Sequence, residues 1–217
     1  MQTTERAHGI VLRTRPLTET SLIVNWLTPD FGRISTVAKG ARRTKSPYRG
    51  KLDLFYEADF SFQRSRRSEL HTLREVVLRE TNAPLRTELG YVQQSSYCST
   101  LIEQTTEAQT PLPEIYELFC GFIHALPKQS PKPRTVFAFE LKLLQILGLA
   151  PDIGESGLST EAQRLVNALT ETDWEGLPAL RATTAQANAI KQFLHGFLIY
   201  HLGRIPKGRE NAVGLNA

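Results

Sequence analysis

The sequence predicts an α+β protein in which strands come first and helices follow. Three observations carry that expectation. Short runs of β-branched and aromatic residues, broken by turn residues, fill the first eighty positions. After Asn82-Ala83-Pro84 apolar residues recur at helical spacing instead. Charge divides at nearly the same place: residues 1–80 hold 15 Lys/Arg against 9 Asp/Glu, and residues 81–217 hold 11 against 13. Two domains, 1–80 and 81–217, are therefore expected.

The first strand is expected around Ile10-Val11-Leu12, closed by Arg15-Pro16, and the second over Ser21 to Leu27. Thr28-Pro29-Asp30-Phe31-Gly32 has the composition of a tight turn, with Arg33 to Ala38 returning as its hairpin partner. Residues 54–62 alternate: Leu54, Tyr56, Ala58, Phe60 and Phe62 share one face, and Phe55, Glu57, Asp59 and Ser61 the other. Arg64 to Glu69 reads as a polar hairpin loop and Leu70 to Leu78 as a fifth strand. Five strands with no helix to cover an open sheet suggest a closed barrel, because closure removes exposed edges.

Five helices are expected beyond it. Leu85, Leu89, Val92, Ser96, Ser99 and Ile102 mark the first, and Ile115, Leu118, Phe119, Phe122 and Leu126 the second, ended by Pro127. Val136 to Leu147 stops at Gly148 with Pro151 behind it, as helix termini do. Thr160 with Gln163 suggests a capping box for the fourth, and Ile190, Phe193, Leu194, Phe197 and Leu198 form the stripe of a fifth.

The totals exclude several classes. No apolar run nears the roughly 20 residues that span a bilayer, and Met1-Gln2-Thr3-Thr4-Glu5-Arg6 lacks a secretory pattern. A cytoplasmic protein is expected, with Cys98 and Cys120 as buried thiols of a reducing compartment. No Cys-x-x-Cys exists and His195 and His201 lie six apart, so neither a metal nor another cofactor is expected. Phosphate-cradling glycine motifs and Gly-x-Ser-x-Gly are absent, so catalysis has no candidate. Glu57 and Asp59 are spaced like a metal pair but read as solvated charge on an outer face.

The strongest local signal is residues 39–51, where six of thirteen are cationic and none is acidic: Lys39, Arg42, Arg43, Lys45, Arg49 and Lys51. Such charges repel one another unless an anion or carboxylates from elsewhere sit among them, and a polyphosphate is the natural counter-ligand. Arg13 and Arg15 join them as candidates for nucleic-acid contact, with Arg64, Arg66 and Arg67 as a secondary cluster. Trp26, Phe31 and Tyr48 are aromatic candidates for base stacking. For Trp26 a core position is favoured, whereas Tyr48, inside the basic loop, fits either role, and Arg33 reads equally as a structural turn residue.

Read together, Arg13 to Leu22, Thr28 to Arg33, Val37-Ala38-Lys39-Gly40-Ala41-Arg42-Arg43 and Arg49-Gly50-Lys51-Leu52 resemble the RecO family of bacterial recombination mediators in order and spacing. Phe139-Glu140-Leu141 with Leu143-Leu144 before Leu147-Gly148 resembles the family's helical signature, and Pro206 to Glu210 its tail. The resemblance implies an N-terminal oligonucleotide-binding (OB) barrel, a C-terminal helical domain and a nucleoid-associated, non-enzymatic role in DNA repair. It further implies binding to single- and double-stranded DNA, strand annealing, and loading of the RecA recombinase onto single strands coated by the binding protein SSB. The implied protein partners are RecR and the acidic, apolar C-terminal tail of SSB. The four-cysteine zinc module that many members carry after Leu-Gly has no counterpart, since Gly148 to Asp152 runs straight into Ile153 to Gly157. Phe137 and Ala138 stand where some members place tail-holding basic residues, with Lys132 and Arg134 upstream. An adaptor docking an acidic protein partner, or an RNA-binding barrel, are the alternatives that charge alone leaves open.

Overall fold

The computed structural model describes residues 4–214; Met1-Gln2-Thr3, part of the stretch read for an export signal, lies outside them. Five strands close into a barrel in the order β1-β2-β3-β5-β4. They are β1 (Thr4–Pro16), β2 (Leu22–Thr28), β3 (Gly32–Ala38), β4 (Glu57–Gln63) and β5 (Leu70–Glu80). All pairings are antiparallel except β3 with β5, where Ser35 to Val37 run parallel to Leu70 to Thr72.

β1 is longer than its apolar run because it serves two neighbours. Its first half pairs with β4 and its second with β2, and a register shift between Val11 and Arg13 bends it from one to the other. Gly9 sits at the crossing, where a Cβ would lie 2.7 Å from the Leu27 carbonyl oxygen. The core is Trp26 stacked on Phe60 at 4.1 Å, with Val11, Val24, Ile34, Phe62, Leu73 and Val76 around them. Trp26 is wholly buried and its Nε1–H donates to Thr36 Oγ1 at 2.9 Å, so its one polar atom is satisfied.

The fourth strand starts later than the alternation suggests. Asp53 to Tyr56 form a turn in which Phe55 adopts φ +64° and is 3% exposed. Two backbone bonds, Phe55 N–H to Val11 O (2.8 Å) and Val11 N–H to Tyr56 O (2.9 Å), hold it against β1. Its burial comes from that turn and not from a pleat. Glu57 is likewise buried, contrary to the solvated-face expectation, and accepts Asn82 Nδ2–H at 3.0 Å. Only Asp59 behaves as expected, half-exposed between Arg79 and His8.

The chain divides into two compact units, residues 1–83 with 106–117, and residues 84–105 with 118–217. The segment 106–117 belongs with the barrel, which no sequence signal indicates. Gln109 N–H donates to Arg33 O at 2.9 Å, and Arg33 Nε–H donates to Thr106 Oγ1 at 2.7 Å. The strap lies so close that a Cβ on Gly32, itself at φ +62°, would stand 2.0 Å from Thr110 O. Arg33 is therefore a structural residue.

Six α-helices are present among the described residues: α1 (Leu89–Thr105), α2 (Pro113–Ala125), α3 (Pro133–Ile146), α4 (Thr160–Glu171), α5 (Thr184–Leu202) and α6 (Arg209–Val213). The buried face of α1 differs from the expected stripe: Leu89 is 71% exposed while Gln94, Ser95 and Cys98 are buried. Gln94 Nε2 donates there to the carbonyls of Lys132 and Ala212, while its Oε1 is buried without a hydrogen-bond partner. Cys98 and Cys120 are buried and form no disulfide among the described residues. Gly148, at φ +70°, ends α3, and Leu149 N–H returns to Leu144 O at 2.8 Å. The cap of α4 is Ser159, one residue before the expected Thr160, whereas a complete capping box stands at Thr183 and Gln186 of α5.

The family-like segments of α3 and α6 meet in the helical core. Arg209 Nε–H and Nη2–H donate to the two carboxylate oxygens of Glu140 at 2.7 and 3.0 Å, with both side chains fully buried. Tyr97 OH donates to Glu140 Oε1 at 2.5 Å. Burial, then the Glu140 carboxylate, hold the Tyr97 phenol well above its ordinary range, so it remains a donor.

Candidate nucleic-acid interface

Residues 39–51 connect β3 to β4 as a chain of reverse turns. Arg43 N–H bonds Gly40 O (3.1 Å), Ser46 N–H bonds Arg43 O (3.1 Å), Arg49 N–H bonds Ser46 O (3.2 Å) and Lys51 N–H bonds Tyr48 O (3.0 Å). A loop so folded displays its side chains in a fixed order despite having no regular structure. Three pegs fasten it to the barrel. Tyr48 OH lies 3.0 Å from the carbonyl oxygens of Leu73 and of Arg74, Lys51 Nζ donates to Val76 O at 3.2 Å, and Arg42 N–H donates to Thr20 O at 3.0 Å. Arg42 also reaches the β1–β2 turn with its side chain, Nη1 to Thr18 O at 3.0 Å.

Tyr48 is consequently no stacking surface. It is 8% exposed, packs in the barrel core and anchors the loop, with burial the first cause of its raised pKa. Five of the loop cations, Lys39, Arg42, Arg43, Lys45 and Arg49, are exposed, and Lys51 is half-buried. Among the described residues none of the six pairs with a carboxylate. Arg42, Arg43 and Arg49 line a surface depression of about 330 Å³ with Thr44 and Gly50. The mutual repulsion that the sequence implied is therefore not relieved by any carboxylate of the described residues.

Arg13 and Arg15 are exposed on β1. Arg15 stands opposite Ile23, which stands opposite Val37, so Arg15 lies two strands from the point where β3 leads into Lys39. Strand spacing makes that about 10 Å. Arg13, opposite Asn25 in the middle of β2, lies further along β1, while Arg15 thus shares one end of the barrel with the loop.

The secondary cluster does not. Arg64, Arg66 and Arg67 follow β4 at the end where β3 begins, since β5 starts beside Ser35 and runs with β3. Arg64 is also engaged: its guanidinium pairs with Glu5 at 3.4 Å and donates to Gln109 Oε1 at 3.1 Å. Arg66 and Arg67 are exposed on a turn in which Ser65 Oγ accepts the Arg67 and Ser68 N–H groups. Sequence reasoning named two basic clusters but could not see that the barrel's length separates them.

The helical unit holds a cavity of about 200 Å³ that the sequence did not reveal. Phe137, Leu165, Leu169, Leu180 and Ile190 supply apolar walls, and Lys132, Arg134 and Arg181 also line it. Arg134 Nε is buried without a hydrogen-bond partner, and burial followed by the Arg181 charge lowers its pKa. Two like charges beside an apolar cavity favour an anionic ligand with an apolar end. Among the described residues no group of three metal-ligating side chains converges, and no helix is long and apolar enough to cross a membrane.

A closed barrel in this strand order followed by helices is the OB architecture with a helical extension, a class that binds oligonucleotides across one face and the flanking loops. The family model described as "Recombination protein O N terminal" matches residues 1–82, and that described as "Recombination protein O C terminal" matches residues 94–159. The DNA repair protein RecO of Rhodopirellula baltica is 32% identical over 143 residues, covering 66% of this chain and 53% of that protein. The RecO proteins of Listeria monocytogenes and Bacillus pumilus are each 29% identical over 157 and 150 residues, covering 72% and 69% of this chain. These matches cover 61% and 58% of those two proteins, so the chain spans between 53% and 61% of the relatives' length. The chain belongs to the RecO family of DNA repair proteins.

Proposed function

We propose that this chain is a non-catalytic recombination mediator that binds single- and double-stranded DNA through the 39–51 loop, anneals complementary strands and helps load RecA onto SSB-coated single strands. The observation that carries the reading is the row of loop cations held in place by backbone turns and left without carboxylate partners among the described residues. Two DNA strands repel, and a fixed cationic surface that neutralises both lets their bases meet. Arg13, Arg15, Lys39, Arg42, Arg43, Lys45, Arg49 and Lys51 carry that role, with Arg66 and Arg67 as a separate contact at the far end. Tyr48 serves by anchoring the loop.

The apolar cavity with Lys132, Arg134 and Arg181 supports a site for the acidic, apolar SSB tail: carboxylates against the guanidinium groups, an apolar terminus among Phe137, Leu169 and Ile190. RecR is the second protein partner, and a cytoplasmic, nucleoid-associated setting follows from these roles. Annealing of complementary oligonucleotides by the intact chain and by an Arg42→Ala/Arg43→Ala/Arg49→Ala variant tests the reading. The variant is expected to lose most annealing activity while retaining its thermal melt. Equal activity in both would refute it.

A further inference from the structure

At the barrel end opposite the basic loop lies a second cavity, of about 270 Å³, walled by Asp30, Phe31, Phe62, Arg64, His71 and Gln109. Its chemistry is unlike that of the loop. Arg64 is answered by Glu5 and Gln109, and Asp30 adds a carboxylate, so a bare phosphate is poorly served. The walls instead offer a flat aromatic face and polar groups of both kinds. Phe31 is half-buried and meets Phe62 edge-on at 5.5 Å, and Phe62 stacks on His71 at 5.3 Å.

His71 supplies the second, independent observation. It is 2% exposed, and its Nδ1 accepts the Ser65 N–H at 3.3 Å. That bond fixes the tautomer with the proton on Nε2. Burial first, and the Arg64 charge second, push the imidazole below its ordinary pKa and keep it neutral. Among the described residues the Nε2–H has no protein acceptor, and His71 lines the cavity. Aromatic faces, a neutral N–H donor, a carboxylate acceptor and an amide in a space equal to about nine waters' share of liquid volume describe a seat for a flat, uncharged heterocycle.

We infer that this cavity takes one unpaired nucleobase, stacked against Phe31 and hydrogen-bonded by Asp30 and His71, from a strand whose phosphates lie on the 39–51 loop. The inference rests on the DNA-binding reading above. The spacing suits it: β2 and β3 are seven residues each, so the two barrel ends lie roughly 20 Å apart, within reach of a strand occupying an OB-sized site. Asp30 favours bases that present an amino group, cytosine among them.

An abasic walk tests it. Single-stranded oligonucleotides of about 16 nucleotides, an upper OB site size, each carry one abasic position and are titrated with the full chain by fluorescence anisotropy. One position is expected to weaken binding roughly tenfold, the size of one stacked base, and the penalty should disappear in Phe31→Ala and in Asp30→Ala. Asp30 is exposed, so its variant decides the question if Phe31→Ala melts early. A flat profile in the unmodified chain, or a penalty that persists in either folded variant, overturns the inference. Loss of all salt-linked oligonucleotide binding would overturn the DNA-binding reading as well, which separates the two failures.

Discussion

Replacing Arg209 by Met tests whether the helical core depends on one buried ion pair. The guanidinium makes two bonds to Glu140, at 2.7 and 3.0 Å, and neither side chain reaches solvent. Removing it leaves a carboxylate with the Tyr97 hydroxyl as its remaining charge-compensating donor. An uncompensated buried charge costs about 3–5 kcal/mol. At roughly 2–4 °C per kcal/mol for a chain of this size, the melting temperature should fall by about 6–20 °C. Removing both charges in Glu140→Gln/Arg209→Met should restore most of that loss, because the penalty arises from the orphaned carboxylate and not from the missing attraction. Urea denaturation followed by circular dichroism reads both variants. A cost below about 1 kcal/mol for Arg209→Met, or a double variant as unstable as the single one, would refute the reasoning.

Four further outcomes are expected. Tyr48→Phe keeps the ring but loses the hydroxyl's contacts with the Leu73 and Arg74 carbonyls, so stability should drop by about 1 kcal/mol and DNA affinity a few-fold; a stacking role would instead leave both unchanged, and thermal melts with anisotropy titrations distinguish them. Gly32→Ala should destabilise the barrel by about 2 kcal/mol or more, since φ is +62° and the new Cβ would meet Thr110 O; a neutral melt would show the strap to be loose. Ser159→Ala should cost about 1 kcal/mol by uncapping α4, and Thr160→Ala almost nothing, in chemical denaturation. His71, whose folded pKa is depressed, takes up a proton more readily once unfolded. Its contribution is therefore present above the ordinary histidine pKa, near 6.5, and lost as pH falls through the lower folded value. A melting temperature that declines over that window, and a flatter profile in His71→Asn, is the expected result.

How much of this was legible depended on the range of the interaction. Strands such as Ser21 to Leu27 announce themselves locally, and the order of five of them with no covering helix pointed to closure. Phe55, which a period of two assigns to the polar face, is instead buried by a turn with positive φ, which composition does not encode. Ser159 and Thr160 are chemically interchangeable caps, and only backbone geometry chooses between them. Arg209 and Glu140 are 69 positions apart, and the strap at 106–117 bonds to Arg33 over a similar distance, so neither leaves a local trace. The basic loop was legible for the opposite reason. With six cations and no acid among thirteen residues, neutralisation had to come from elsewhere, and among the described residues no carboxylate supplies it. Tyr48 carried no such signal, since an anchoring tyrosine and a stacking one look alike in sequence.

The central claim is that phosphate neutralisation by the 39–51 loop supplies the affinity for DNA. Its most direct test is the dependence of single-strand affinity on salt, measured for the intact chain and for Arg42→Ala/Arg43→Ala. Six contacts predict a slope of log K on log salt of about −4, a loss of roughly 300-fold between 50 and 200 mM, and removing two should flatten the slope by about 1.4. A shallow slope, or one that the double substitution leaves unchanged, would contradict the account.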